Sequence, residues 1–212
     1  MSRGRFVVLE GLDGAGTTTQ AARLAVRLGQ AGVPVVSTRE PSDGPIGTMI
    51  RQAIGRRLVQ PDGATLGDEV LALLFAADRC DHIRSTVRPA LEQGRWVISD
   101  RYVHSSLAYQ GASLDREWVA RINREAPPAD LVIQIDVPVE VCLERMVRRA
   151  RPLDIFERER FLEQVVRGYD EAYRLRPDTH VRVDGRRDVD EVALEVWRAV
   201  APLLDHESSG HP

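Results

Sequence analysis

Lysine is absent from the 212-residue sequence, so all 29 of its Lys/Arg positions are arginines. Cysteine is scarce, because only Cys80 and Cys142 occur and they form no CxxC pair. We therefore expect two buried free thiols in a reducing, cytoplasmic environment rather than a disulfide framework. The five histidines show no metal-ligand spacing, so the sequence indicates no site of the zinc type.

Long hydrophobic runs are also missing. No stretch of about 18 apolar residues occurs, so we predict no membrane span. The net charge of −3 lacks the basic excess that general nucleic-acid binders carry, so we expect no nucleic-acid partner. With 43% hydrophobic residues, a chain of this length is expected to form one globular domain with a substantial core.

Short apolar runs alternate with amphipathic stretches, which is typical of βαβ units and a parallel sheet. Strands are predicted at residues 5–10, 33–39, 95–100, 130–137 and 180–185. Helices are predicted at residues 17–31, 66–93, 138–149, 157–175 and 188–204. The pattern indicates a single three-layer α/β domain over residues 1–205, with five parallel strands and a disordered tail at 206–212. Ligands of such a sheet bind at the carboxyl ends of its strands.

The stretch VVLEGLDGAGTTTQ, residues 7–20, has the glycine spacing of a phosphate-binding loop between a strand and a helix. Glycines in such a loop let backbone N–H groups point at an anion, and the following helix adds the positive end of its dipole. We expect Thr18 to bring a hydroxyl to Mg²⁺. The residues predicted to hold ATP are Gly11, Leu12, Asp13, Gly14, Ala15, Gly16, Thr17 and Thr18.

Thr17 stands where this loop normally carries a lysine that contacts the phosphates. Losing one such preorganised charge typically costs about 3–4 kcal/mol of transition-state stabilisation. Thr17 keeps its backbone N–H, so phosphate binding should survive better than catalysis. Because no lysine exists elsewhere in the chain, arginines must supply the missing charge if the protein is a kinase.

Five motifs follow one another along the chain: EGLDGAGTTTQ, TREP at 38–41, LFAADR at 74–79, SDRYVHSSLAYQG at 99–111, and an arginine-rich segment near 145–160. In this order they resemble the thymidylate kinase family, over roughly residues 5–204. The resemblance implies a P-loop kinase fold with a short lid. It also implies transfer of the γ-phosphoryl group of ATP to dTMP, giving dTDP and ADP for dTTP synthesis, with Mg²⁺ as cofactor.

The resemblance implies a site for a pyrimidine nucleotide. Phe75 and Arg79 are four residues apart and share a helix face, which suits stacking on a base and donation to a ring carbonyl. Ser105 and Ser106 lie where family members place polar residues that read the thymine edge. Tyr109 is expected to pack beneath the deoxyribose.

Other residues are implied at the phosphates and the sugar. The guanidinium of Arg39 suits the acceptor phosphate, and Asp13 is similar to the family carboxylate that contacts the 3′-hydroxyl. Asp100 ends an apolar strand, as the acid of a Walker B motif does, and is expected to bind Mg²⁺. Arg101 is similar to the family arginine that bridges donor and acceptor phosphates. It is our first candidate for the charge that the phosphate loop lacks.

The arginine-rich segment resembles the mobile lid of the family, at about residues 145–158. Family members carry a catalytic arginine either in the phosphate loop or in the lid. This loop contains none, so we predict a catalytic lid arginine, Arg149 or Arg151. The family is usually homodimeric, and the apolar helix at 66–93 is a candidate for the dimer face or for the core.

Two other functions stay open at this point. The first is a binding protein that holds nucleotides and transfers nothing, which Thr17 favours. The second is a kinase for another pyrimidine nucleotide or nucleoside. Arg39 favours a phosphorylated acceptor, and the pair of Phe75 and Arg79 favours a pyrimidine.

Overall fold

A sheet of five parallel strands lies at the centre of the computed structural model, which describes residues 3–148, 155–176 and 178–208. The strands are β1 (Phe6–Gly11), β2 (Val35–Arg39), β3 (Trp96–Asp100), β4 (Leu131–Asp136) and β5 (His180–Asp184), and they lie in the order β2-β3-β1-β4-β5. Each predicted strand is present, with ends shifted by at most two residues. The predicted α/β fold with five parallel strands is confirmed.

Strand β1 at the centre of the sheet and its neighbour β3 are buried along their whole length. This explains why both are nearly continuous apolar runs, since helices cover both faces of the sheet. Leu9 of β1 and Arg39 of β2 are both in register with Asp100 of β3. The carboxyl ends of these three strands therefore lie together at one edge of the sheet, and the loops that follow them form the site.

Nine α-helices lie around the sheet in the part of the chain that the structure describes. They are α1 (Thr17–Gln30), α2 (Pro45–Ile54), α3 (Asp68–His82), α4 (Arg88–Glu92), α5 (Val103–Tyr109), α6 (Arg116–Ile122), α7 (Val139–Val147), α8 (Ile155–Leu175) and α9 (Val189–Ser208). Helix α1 packs against α9, and α5 packs against α8. Within the described ranges, no helix has both the length and the apolar character needed to cross a membrane.

The helix predicted at 66–93 is divided in the structure. Between α3 and α4, residues Ile83–Val87 form a π-helical turn in which the N–H of Arg88 bonds to the carbonyl oxygen of Ile83. Pro89 lacks the N–H that a regular helix would use at this point, which accounts for the interruption. Helix α9 extends to Ser208, three residues into the predicted tail, and residues 209–212 lie outside the described part.

Three helices were not predicted from the sequence: α2, α5 and α6. Helices α5 and α6 have seven residues each, too few to show a helical period. Helix α6 does carry a start signal, because the Asp115 carboxylate accepts a hydrogen bond from the backbone N–H of Trp118 at 2.6 Å.

The prediction that both cysteines are buried is wrong for one of them. Cys142 is buried, and its burial raises the thiol pKa to about 11. Cys80 is exposed on α3, on the same helix face as Val70, Leu73 and Ala77. The cysteine spacing that argues against a disulfide does not show whether a thiol is buried, and this face of α3 is open to solvent in the single chain.

Candidate active site

The phosphate loop occupies residues 12–16, between the end of β1 and the start of α1. Gly14 and Gly16 have φ angles of 88° and 101°, in the left-handed region that favours glycine. A Cβ on Gly14 would lie 2.7 Å from the carbonyl oxygen of Cys142, so α7 packs directly against the loop. The geometry therefore requires glycine at position 14 for two independent reasons.

Thr17 begins α1 and is only 5% exposed. Its Cγ2 lies 3.1 Å from the position that a Cβ on Gly11 would occupy, so the methyl group packs under the loop. Thr17 thus fills space at the base of the loop and supplies no charge to it.

Thr18 and Asp100 are in direct contact, with the Thr18 hydroxyl donating a hydrogen bond to Asp100 Oδ2. The other carboxylate oxygen, Asp100 Oδ1, is buried and has no hydrogen-bond partner among the described residues. Oxygen ligands of this kind are those that Mg²⁺ prefers. An unpartnered buried carboxylate oxygen beside the loop threonine fits a Mg²⁺ site held by Asp100 and Thr18.

Three arginines contact the phosphate loop. Arg101 Nη2 lies 2.8 Å from Asp13 Oδ1, and Arg158 Nη2 lies 3.9 Å from Asp13 Oδ2. Arg145, on α7, donates to the carbonyl oxygens of Gly14 and Ala15 at 3.4 and 3.3 Å. It therefore supports the loop from its carbonyl side. The two arginines predicted to be catalytic in the lid, Arg149 and Arg151, lie outside the described residues.

Arg101 follows β3 in a left-handed conformation, with φ of 74°. Its Nη1 donates to Ser105 Oγ at 2.9 Å, and its guanidinium lies 5.1 Å from the ring centre of Tyr109. The Tyr109 hydroxyl in turn accepts the backbone N–H of Asp13 at 2.9 Å. Burial raises the pKa of the Tyr109 hydroxyl. Arg101 is therefore held between the phosphate loop and α5.

A cavity of about 380 Å³ opens from Asp13 and Arg101 and extends toward α3. Its lining includes most of the residues predicted to bind the acceptor. They are Asp13, Phe75, Arg79, Arg101, Ser105, Ser106 and Tyr109. The other lining residues, none of which was predicted to bind the acceptor, are Glu40, Pro41, Ile54, Leu71, Tyr102, Gln110 and Phe161.

Arg79 lies at the inner end of this cavity and is 2% exposed. Its Nη2 forms a buried ion pair with Glu40 at 2.7 Å and donates to Ser106 Oγ at 3.0 Å. Its Nη1 donates to the side-chain oxygen of Asn123. The guanidinium is thereby fixed in orientation before any ligand binds. Asn123 lies far along the chain, and no sequence signal indicated its role.

Arg39 is not among the residues that line the cavity. Its side chain is 55% exposed and pairs with Asp43 at 2.6 Å, which holds the pKa of Asp43 below its usual value. The loop that follows Arg39 is anchored by Asp78, whose carboxylate accepts from the Ser42 N–H at 2.7 Å and the Ser42 hydroxyl at 2.6 Å. Asp78 lies within the motif LFAADR but was not singled out there.

Two features define the class of P-loop phosphotransferases. One is a phosphate loop that leads into a helix, and the other is the Asp100 carboxylate at the end of a strand, which accepts a hydrogen bond from Thr18 at the start of that helix. The adjoining cavity adds room for a second ligand. The sequence profile described as "Thymidylate kinase" matches residues 9–196. The chain therefore belongs to the thymidylate kinase family.

Curated relatives agree with this assignment. A "Probable thymidylate kinase" of Pyrococcus abyssi is 45% identical over 210 residues, covering 98% of this chain and 99% of the relative. One of the same description from Thermococcus kodakarensis is 40% identical over 206 residues, covering 95% and 100%. A "Thymidylate kinase" of Thermomicrobium roseum is 40% identical over 206 residues, covering 94% and 95%.

Replacing Gly14 by alanine should weaken ADP binding about tenfold, because the free loop would relax out of its left-handed conformation. Restoring that conformation on binding costs roughly 1–2 kcal/mol, and the Cys142 carbonyl must also move. Calorimetric titration with ADP measures this. The matched control is Gly29→Ala near the end of α1, where a Cβ meets nothing within 4 Å. The control should bind ADP as the wild type does and should be slightly more stable. ADP affinity equal to wild type in Gly14→Ala would contradict the loop geometry described above.

Proposed function

We propose that this protein is a dTMP kinase, which transfers the γ-phosphoryl group of ATP to dTMP and gives ADP and dTDP. The observation that carries the proposal is a single cavity lined by Asp13 and Arg101 at the phosphate loop and by Phe75 and Arg79 at its other end. A nucleotide lying along this cavity would place its phosphate at the loop and its base against the aromatic ring.

The acceptor end suits a pyrimidine that has a carbonyl group. Phe75 is the stacking surface, and Arg79 is the donor to a ring oxygen, with Glu40 fixing its orientation. The Ser106 hydroxyl accepts a hydrogen bond from Arg79. Ser106 is proposed to face the thymine edge together with Ser105. Tyr109 is proposed to lie beneath the deoxyribose, with Asp13 at the 3′-hydroxyl.

Chemistry at the phosphates needs no strong general base, because the acceptor is already an anion and the transition state is loose. Arg101 is proposed to bridge the donor and acceptor phosphates, and Arg39 to bind the acceptor phosphate after releasing Asp43. Asp100 and Thr18 are proposed to hold Mg²⁺, which neutralises charge on the ATP phosphates when bound. Positioning and charge neutralisation then account for catalysis.

The charge that Thr17 does not supply is proposed to come from arginines. Arg101 is the first of these, because it already lies against Asp13 of the loop. Arg149 or Arg151 of the lid, at about residues 145–158, is proposed to add a second cation. We propose that residues 1–205 form a single nucleoside monophosphate kinase domain and that the protein acts in the cytoplasm.

A panel of acceptors tests the proposed substrate. ADP release should be fastest with dTMP and slower with dUMP by roughly tenfold to two-hundredfold, since one methyl group supplies about 1–3 kcal/mol. It should be slower still with dCMP, whose amino group meets the donor Arg79, and absent with thymidine, which has no phosphate.

A higher kcat/KM for dCMP or thymidine would contradict the assignment of dTMP as substrate. Tight dTMP binding without any ADP release would instead favour the alternative of a nucleotide-binding protein.

We also propose that the protein is a homodimer through the exposed face of α3. Val70 and Leu73 on this face are 47% and 50% exposed, and Ala77 and Cys80 continue it at helical spacing. An apolar stripe of this kind on a helix is typical of a helix–helix interface.

Replacing Leu73 by aspartate should convert a dimer to a monomer, because the interface would then bury an unpaired charge. Sedimentation measures the mass, and maleimide labelling of Cys80 should be slow in the wild type and fast in the variant. Leu194→Asp, at a 41% exposed leucine on α9, is the control and should stay dimeric. A wild-type protein that sediments as a monomer would refute the dimer.

A further inference from the structure

Arg101 is one of two residues other than glycine with positive φ in the described part of the chain. A left-handed conformation costs such a residue roughly 1–2 kcal/mol, so neighbouring contacts must hold it. The backbone N–H of Arg101 donates to the Leu9 carbonyl at 2.9 Å, which continues the pairing between β3 and β1. The contacts that turn the chain after Arg101 come from the next residue of β1, Glu10.

Glu10 is completely buried near the end of β1, where only Gly11 separates it from the phosphate loop. Its Oε1 accepts the backbone N–H groups of Tyr102 at 2.9 Å and Ser105 at 3.1 Å. Its Oε2 accepts the Ser105 hydroxyl, and the Tyr169 hydroxyl at 3.1 Å. One carboxylate therefore fixes both the peptide after Arg101 and the serine that Arg101 contacts.

The single hydroxyl proton of Ser105 decides which atoms donate and which accept in these hydrogen bonds. A serine hydroxyl has one proton, and Ser105 donates it to the Glu10 carboxylate, which is acceptor-only when ionised. The Ser105 oxygen then offers lone pairs to Arg101 Nη1, which donates to it at 2.9 Å. Glu10 thus orients the hydroxyl that orients the guanidinium. Its burial leaves it no access to ligands, so it acts through Arg101.

We infer that Glu10 is a positioning residue for phosphoryl transfer, which holds Arg101 in its left-handed conformation and aims its guanidinium across the phosphate loop through Ser105. This inference rests on the proposed kinase function and adds a residue that touches no substrate.

The isosteric variant Glu10→Gln tests it. The amide oxygen can still accept from the two backbone N–H groups, but the amide NH₂ then faces Ser105 and forces the hydroxyl to accept there. Its proton must turn away from the amide, toward the Arg101 donor. We expect kcat to fall about tenfold to a hundredfold, as for a displacement of about 1 Å. The KM values for dTMP and ATP should change less than about threefold.

A double-mutant cycle separates positioning from a general structural role. If Glu10 acts through Arg101, the double variant Glu10→Gln, Arg101→Ala should be no slower than Arg101→Ala alone. Effects that multiply would overturn the inference, and so would a Glu10→Gln variant with kcat within twofold of wild type. Asp178→Asn, at another buried acid, is the control and should keep wild-type kcat.

Ser105→Ala keeps Glu10 and removes only the hydroxyl, so it serves if Glu10→Gln fails to fold. It should lower kcat about tenfold, because Arg101 then loses the oxygen that its Nη1 contacts, and wild-type kcat in this variant would overturn the inference. A wild-type protein with no dTMP-dependent turnover would overturn the proposed function, and the inference with it. Wild-type turnover with unaffected variants would overturn the inference alone.

Discussion

The buried carboxylate of Glu10 connects the adjacent strands β1 and β3 at the edge of the sheet where the site forms. It lies near the end of β1 and accepts hydrogen bonds from the segment that follows β3, so the phosphate loop and Arg101 are positioned by the same group. Burial raises the pKa of this carboxyl, opposed by the hydrogen bond from Ser105. A carboxylate in such a place is costly to bury, and the hydrogen bonds that it accepts from Tyr102 and Ser105 offset that cost. Without it, neither the left-handed turn at Arg101 nor the contact of its guanidinium with Ser105 would be fixed.

The basic side chains described at this site are all arginines. The contacts of each arginine differ according to the role that it has there. Arg79 is held through four of its five N–H donors by other residues of the described ranges, so it is rigid and keeps one Nη1 N–H for an atom of a base. Arg145 braces the loop from its carbonyl side. Arg101 and Arg158 both face Asp13 of the loop. A planar guanidinium has five N–H donors and can contact several different groups at once. The three donors of a lysine ammonium would not reproduce these contacts.

The sequence was informative where a local pattern has one structural solution. Five continuous apolar runs predicted five strands, and the glycine spacing predicted the loop before α1. The spacing of Phe75 and Arg79 predicted two side chains that do line one cavity. Prediction failed where two contacting residues are distant in the chain, and where the question is whether an apolar helix face is buried or exposed to solvent. Asn123 reaches Arg79 only through the fold, and Cys80 is apolar enough for a core although it lies on an exposed face. Short helices such as α5 carry too few residues to show a period.

The central claim is that arginines supply the charge which the phosphate loop lacks at Thr17. It is tested most directly by dTMP-dependent ADP release from the wild type and from a Thr17→Lys variant, each with Mg-ATP. The claim predicts a wild-type kcat of roughly 1–100 s⁻¹, as is typical of kinases, and a Thr17→Lys value within about tenfold of it. A wild type near zero, restored about a thousandfold by Thr17→Lys, would contradict it, because a charge of that worth would then be missing from the native site.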